Sequence, residues 1–135
     1  NAVAVMVEEI THFLTQFGYS PLYPDKFGVE DWSSVIARET LNAKCQWWQH
    51  PENDCPNNPA QYNGNCSDPN CDVVEFYHQV LILRAGMQPG WFGIDFPRTS
   101  EDLEVLLSQD MKDLMDDPAY YQLKGPLTLS YPLAD

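Results

Sequence analysis

Apolar residues recur at spacings of three and four from the start of the chain: Val3, Met6, Val7, Ile10, Phe13, Leu14 and Phe17. Glu8, Glu9, Thr11, His12, Thr15 and Gln16 take the other side. At 3.6 residues per turn this predicts an amphipathic helix with one continuous apolar stripe and a solvated polar face that includes His12. Gly18 is placed to end it, and Pro21 and Pro24 forbid continuation. A second helix is expected from about Asp31 to Trp48, with Trp32, Val35, Ile36, Ala43 and Trp47 on one side and Asp31 or Ser33 as its cap. Residues 49–67 have no periodicity and hold five Asn and three Pro, which reads as loop.

A third helix starts on good signals. Ser67 or Asp68 caps it and Pro69 suits its first turn, where the missing donor is not needed. Val73, Val74, Phe76, Tyr77, Val80, Leu81, Ile82 and Leu83 follow with few polar breaks, so this is the central and most buried helix, stopped by Gly86. A fourth helix begins at Thr99 or Ser100, with Thr99 and Asp102 spaced as a variant capping box. Leu103, Leu106, Leu107, Met111 and Leu114 form its stripe; Glu101, Glu104, Asp110, Asp113 and Asp117 lie opposite. Asp113, Asp116 and Asp117 oppose the dipole in its last turn. The tail, 118–135, is punctuated by proline, and LTLSY at 127–131 alternates like a short strand. The expected fold is mostly α: one domain over 1–135, about four helices, long irregular connections and an extended tail.

Composition narrows the partners. The chain has 135 residues and a net charge of −13. That balance repels phosphate backbones and anionic lipid, so nucleic acid and membrane surfaces are disfavoured and basic protein surfaces are favoured. VLIL at 80–83 is the densest apolar run, far short of the ~20 residues that span a bilayer. NAVAVMVEE has no basic leader region and reads as a mature start. The irregular segments are rich in aromatics, among them Tyr19, Tyr23, Phe27, Trp91, Phe92, Phe96, Tyr120 and Tyr121, which must cover the bundle or a partner.

All four cysteines, Cys45, Cys55, Cys66 and Cys71, fall in one stretch. An even, clustered set predicts two disulfides and an extracytoplasmic oxidising compartment: secreted, lumenal or periplasmic. Three connectivities are possible; the nested one, Cys45–Cys71 with Cys55–Cys66, ties one helix end to the next helix start. Closing such a loop stabilises by about 3 kcal/mol. A zinc site on the same residues fits less well, because only Cys66 and Cys71 are closely spaced.

Candidate chemistry is sparse. His78 follows Glu75 by one turn, and the pair is able to share a proton or a metal; a polar edge on a buried helix is the simpler account. His50 lies beside Glu52 and Asp54. Asp68, Asn70 and Asp72 begin like a calcium loop, but Val73 stands where glycine is needed and Gln79 where a bidentate Glu belongs. Asn65-Cys66-Ser67 is a formal glycosylation sequon. There is no GxSxG, HExxH, phosphate loop, dinucleotide fingerprint or CxxCH haem motif. No catalytic residue, metal ligand or cofactor is therefore assigned.

The function expected is that of a non-catalytic interaction protein, an accessory or structural subunit of a larger extracytoplasmic assembly. Its partner would present apolar and basic surface to Trp91 and Phe92, rimmed by Glu101, Asp102 and Glu104. Trp47-Trp48 is a second recognition candidate, with core packing the more economical reading. The alternatives are a small secreted hydrolase built on His and carboxylate groups, or a carbohydrate- or ligand-binding module using Trp91.

Overall fold

The most apolar segment forms the helix on which the others pack. The computed structural model of the chain describes residues 2–48, 69–89 and 96–126. Over these residues the protein is mostly helical and has no strand. The elements are α1 (Ala2–Phe13), a π-helical stretch (Leu14–Tyr19), α2 (Ser20–Leu22), α3 (Pro24–Phe27), α4 (Val35–Lys44), α5 (Pro69–Arg84), α6 (Ser100–Leu106), α7 (Gln109–Asp116) and a 3-10 turn (Pro118–Tyr120). Helices α1, α4 and α6 pack on α5, and α7 packs on α4. Nearly every residue of α5 from Asp72 to Leu83 is buried, Val80 and Leu83 included. Gly86, at φ 83°, ends α5 in the left-handed conformation, and the N–H groups of Gly86 and Met87 close back on Leu83 and Ile82.

Several boundaries differ from expectation for local reasons. Gly18 does not end the first helix. The chain widens into a π-helical turn, where the Ser20 N–H reaches back five residues to the Thr15 carbonyl. Pro21 then falls in the first turn of α2, a position that tolerates its missing donor. Helix α4 is capped by Ser34 rather than Asp31 or Ser33. The Ser34 Oγ accepts from the Ala37 N–H at 3.0 Å and donates to the Gly28 carbonyl at 2.6 Å. Asp31 instead accepts from the Ser33 N–H at 2.8 Å, which holds a turn before the helix. Gly28 is needed there, since a Cβ would collide with the Pro24 carbonyl oxygen.

The expected fourth helix is two helices. Thr99 caps α6, accepting from the Asp102 N–H at 3.1 Å. Leu107 and Ser108 then adopt extended backbone, and Ser108 caps α7 by accepting from the Met111 N–H at 3.2 Å. The break is held from outside by Glu39 of α4, whose carboxylate accepts from the Ser108 N–H and from the Ser108 hydroxyl at 2.6 Å. A buried carboxylate at a helix N-terminus also matches the dipole.

Aromatic side chains close the core. Trp48 is fully buried and packs on Phe76, while Trp47 lies between Phe76 and Phe96 with centroids at 5.6 Å to each. The tryptophan pair therefore belongs to the core. Tyr19, Tyr23, Phe27, Tyr77 and Tyr120 form a second aromatic cluster under the C-terminal segment. There the Tyr77 hydroxyl donates to Gln122 Oε1 at 2.6 Å, and the Tyr19 hydroxyl donates to the Tyr120 carbonyl.

Cys45 and Cys71 are not at disulfide distance from each other, which removes the nested pairing. Their neighbours Lys44 and Asp72 face each other across the interior, Nζ to Oδ2 3.6 Å. One residue along a helix turns a side chain about 100° away from such a contact. Cys55, Cys66, His50, the sequon at Asn65, the cap and ligand roles of Ser67 and Asp68, Trp91, Phe92 and the LTLSY stretch lie outside the described residues.

Lys44 and Asp72 are both fully buried, and the Lys44 ammonium also sits 4.8 Å from the centre of the Trp48 ring. Breaking a buried ion pair by removing one side costs about 3–5 kcal/mol. Lys44→Met is therefore expected to melt at least about 10 °C below the parent, measured by circular dichroism. A shift of only a degree or two would show that the ammonium adds nothing net.

Candidate functional site

Two features of α1 stand out, one on each of its faces. Of the apolar stripe only Val7 is buried. Met6, Ile10, Phe13 and Phe17 are 55 %, 52 %, 62 % and 63 % exposed, and Val3 and Leu14 are also in solvent. The Phe13 and Phe17 rings pair at 5.4 Å. A groove of about 320 Å³ borders this face, with Ile10, Leu14, Leu81, Tyr121 and Leu123 among its walls.

The polar face of α1 is the one turned towards α5. Glu8 and His12 are four residues apart on α1, and Glu75 and His78 are three apart on α5, so each pair shares one side of its helix. One donor atom from each of these four residues lies within 4.8 Å of the other three. His12 Nε2 is 3.7 Å from Glu75 Oε1, too far for a hydrogen bond. The His12 and His78 rings meet edge to face with centroids at 5.4 Å. His78 is only 2 % exposed. Buried and without a hydrogen-bond partner are His12 Nε2, Glu75 Oε2 and His78 Nδ1. His12, expected in solvent, is thus half-buried against α5.

Burial sets the charges here. Desolvation lowers the pKa of His12 against the pull of Glu8 and Glu9. Desolvation, with the neighbouring His12, brings His78 down to about 4. Desolvation, reinforced by Glu8, Glu9 and Asp72, raises Glu75 to about 7. Both imidazoles are therefore neutral at neutral pH, and the His12–Glu75 contact is not an ion pair. Two neutral imidazoles and two carboxyl groups form a donor set of the kind transition metals take.

The residues assigned to partner binding are placed only in part. Glu101 and Asp102 are exposed on the first turn of α6. Glu104 is instead engaged by Arg84, which also holds Asp116 through two hydrogen bonds of 2.9 and 3.1 Å. Phe96, at the end of the Gly/Pro-rich turn, is core. Sequence reasoning paired Glu75 with His78 but missed Glu8 and His12. The available signal was two Glu–His pairs at helical spacing, EEITH and EFYH.

The cluster gives the metal-free protein a pH dependence of known sign. A carboxyl whose folded pKa is raised costs nothing below its unfolded value of 4.5, and its cost grows as pH rises through 7. The full penalty is about 3 kcal/mol, at about 1.4 kcal/mol for each tenfold change in proton affinity. His78 acts oppositely: its cost is absent above 6.5 and grows as pH falls towards 4. In the presence of a chelator, Glu75→Gln is expected to melt above the parent at pH 8 and to lose most of that advantage at pH 5. Equal melting at both pH values would place the Glu75 carboxyl in solvent.

No family model, curated protein or solved structure matches this chain, so the role of these two faces rests on their own geometry.

Proposed function

We propose that the protein is a non-catalytic interaction subunit of a larger extracytoplasmic assembly, docking through the outward face of α1. The observation that carries this reading is the exposed stripe Met6, Ile10, Phe13 and Phe17. A contiguous apolar face of this kind costs about 25 cal/mol for every Å² left in water, and such faces mark interaction sites. The occupant we assign is an apolar segment of a partner protein edged by Lys or Arg. Charge supports a protein over a membrane: at −13 the chain is repelled by anionic lipid and attracted by basic protein surface. The groove beside the stripe is of a size to take one or two side chains of such a segment. Trp91, Phe92, Glu101 and Asp102 remain separate candidates for contact with the partner, while Glu104 is committed to Arg84.

The oxidising compartment rests on the cysteines. Cys45 and Cys71 are not at disulfide distance from each other. The proposal therefore pairs each of them with one of Cys55 and Cys66.

A photo-crosslinking residue in place of Phe13, in the native source, is expected to give one discrete adduct that Phe17→Glu abolishes. The same residue in place of Val105, 84 % exposed on α6, serves as the control. Position 13 giving no more adduct than position 105 would mean that the stripe is bare, and the docking reading would be lost. Alkylation of the denatured, unreduced protein is expected to leave all four cysteines unmodified by mass. Four alkylated thiols would overturn the compartment.

A further inference from the structure

We propose that Glu8, His12, Glu75 and His78 bind one divalent transition-metal ion, with Zn²⁺ the best fit, which clamps α1 onto α5. The inference is independent of the docking reading, since it concerns the opposite face of α1.

Four observations converge on it. The donors come from two helices in pairs at i, i+4 and i, i+3, the spacings that put two side chains on one side of a helix. One donor atom of each lies within 4.8 Å of the others. A tetrahedral zinc with bonds of about 2.0–2.2 Å places its ligand atoms about 3.4 Å apart. The remaining closure is of the order of 1 Å, within reach of two flexible Glu side chains. His78 is buried to 98 % by its 2 % exposure, and its Nδ1 has no hydrogen-bond partner; His12 Nε2 and Glu75 Oε2 are in the same position. Buried polar atoms without partners are rare and call for an unseen one. A cation bound among the four side chains would supply the missing partner where these atoms are its ligands.

Donor chemistry selects the ion. Two imidazoles argue against Ca²⁺ and Mg²⁺, which take oxygen ligands. Two carboxylates and two imidazoles suit Zn²⁺, which has no geometric preference of its own. Four protein ligands leave no open position, so the site is structural and not catalytic. Its effect is mechanical. With the ion in place, a polar helix face becomes the cohesive one, and the apolar face is held outward.

The test uses the full chain, stripped with chelator and dialysed against Zn²⁺. One ion per chain is expected, with an X-ray absorption shell of nitrogen and oxygen at about 2.0–2.1 Å and no sulfur at about 2.3 Å. Zinc should raise the melting temperature of the parent. Glu8→Gln and His12→Gln, both on the half-buried side of α1, should keep their helical circular dichroism, lose at least 100-fold in zinc affinity and lose the thermal shift. Absence of stoichiometric zinc would overturn the site. So would a sulfur shell, which would move the metal to the cysteines. Unchanged affinity in both folded variants would exclude these ligands.

Discussion

Helix α5 is buried on every side, and that constraint orders the rest of the molecule. A helix so placed must have each of its polar groups answered by a neighbour, because an unanswered one costs kilocalories. Asp72 faces Lys44 of α4. Tyr77 donates to Gln122 of the C-terminal segment. Arg84, at the end of the helix, takes Glu104 of α6 and Asp116 of α7. Glu75 and His78 face Glu8 and His12 of α1. Apolar contact attaches these elements to α5, and the polar pairs fix which face of each is presented. Asp116 shows the consequence for charge: it opposes its own helix dipole, yet Arg84 and Lys124 hold its pKa down.

Tyr77 and Arg84 are answered by hydrogen bonds and Asp72 by a facing ammonium, and the fourth group explains the unusual orientation of α1. Had hydrophobic burial alone decided, the stripe from Met6 to Phe17 would face α5. It faces out, and a set of imidazole and carboxyl groups faces in. Both halves of that arrangement are costly for an isolated, metal-free chain. Apolar surface is left in water, and the raised pKa of Glu75 measures the strain of bringing a carboxylate inside. A cover on one face and a cation on the other remove the two costs separately. Each proposal therefore accounts for a different part of the same inversion.

What was legible in the sequence follows from which interactions are local. The density of apolar residues from Val73 to Leu83 identified the central helix, and its stops and starts at Pro69, Gly86 and Thr99 were readable because caps act within three or four residues. The break at Leu107–Ser108 was not, because Glu39, 69 residues away, holds Ser108. Periodicity gave the two faces of α1 correctly but cannot say which one turns inward. That choice depends on what α5 offers, and His12 and His78 are 66 positions apart in the chain. Among the aromatics of the connections, Phe27 and Phe96 went to the core, whereas Tyr23 and Tyr121 stayed exposed.

The same polar pairing sharpens the electrostatics of any encounter. The chain has only seven Lys and Arg against twenty Asp and Glu. Lys44 is sealed in the interior, and Arg84 and Lys124 are held by carboxylates. Each of these pairs takes a carboxylate out of play with its cation, so the outer surface keeps the strong net negative charge of the composition. Charge of one sign acts over about a Debye length, roughly 8–10 Å at physiological salt, whereas apolar contact acts only at touch. The acidic surface would draw in and orient a basic partner before contact. The α1 stripe would then set how long that partner stays. Selectivity and residence are thus carried by different residues, and a change at either need not disturb the core that α5 organises.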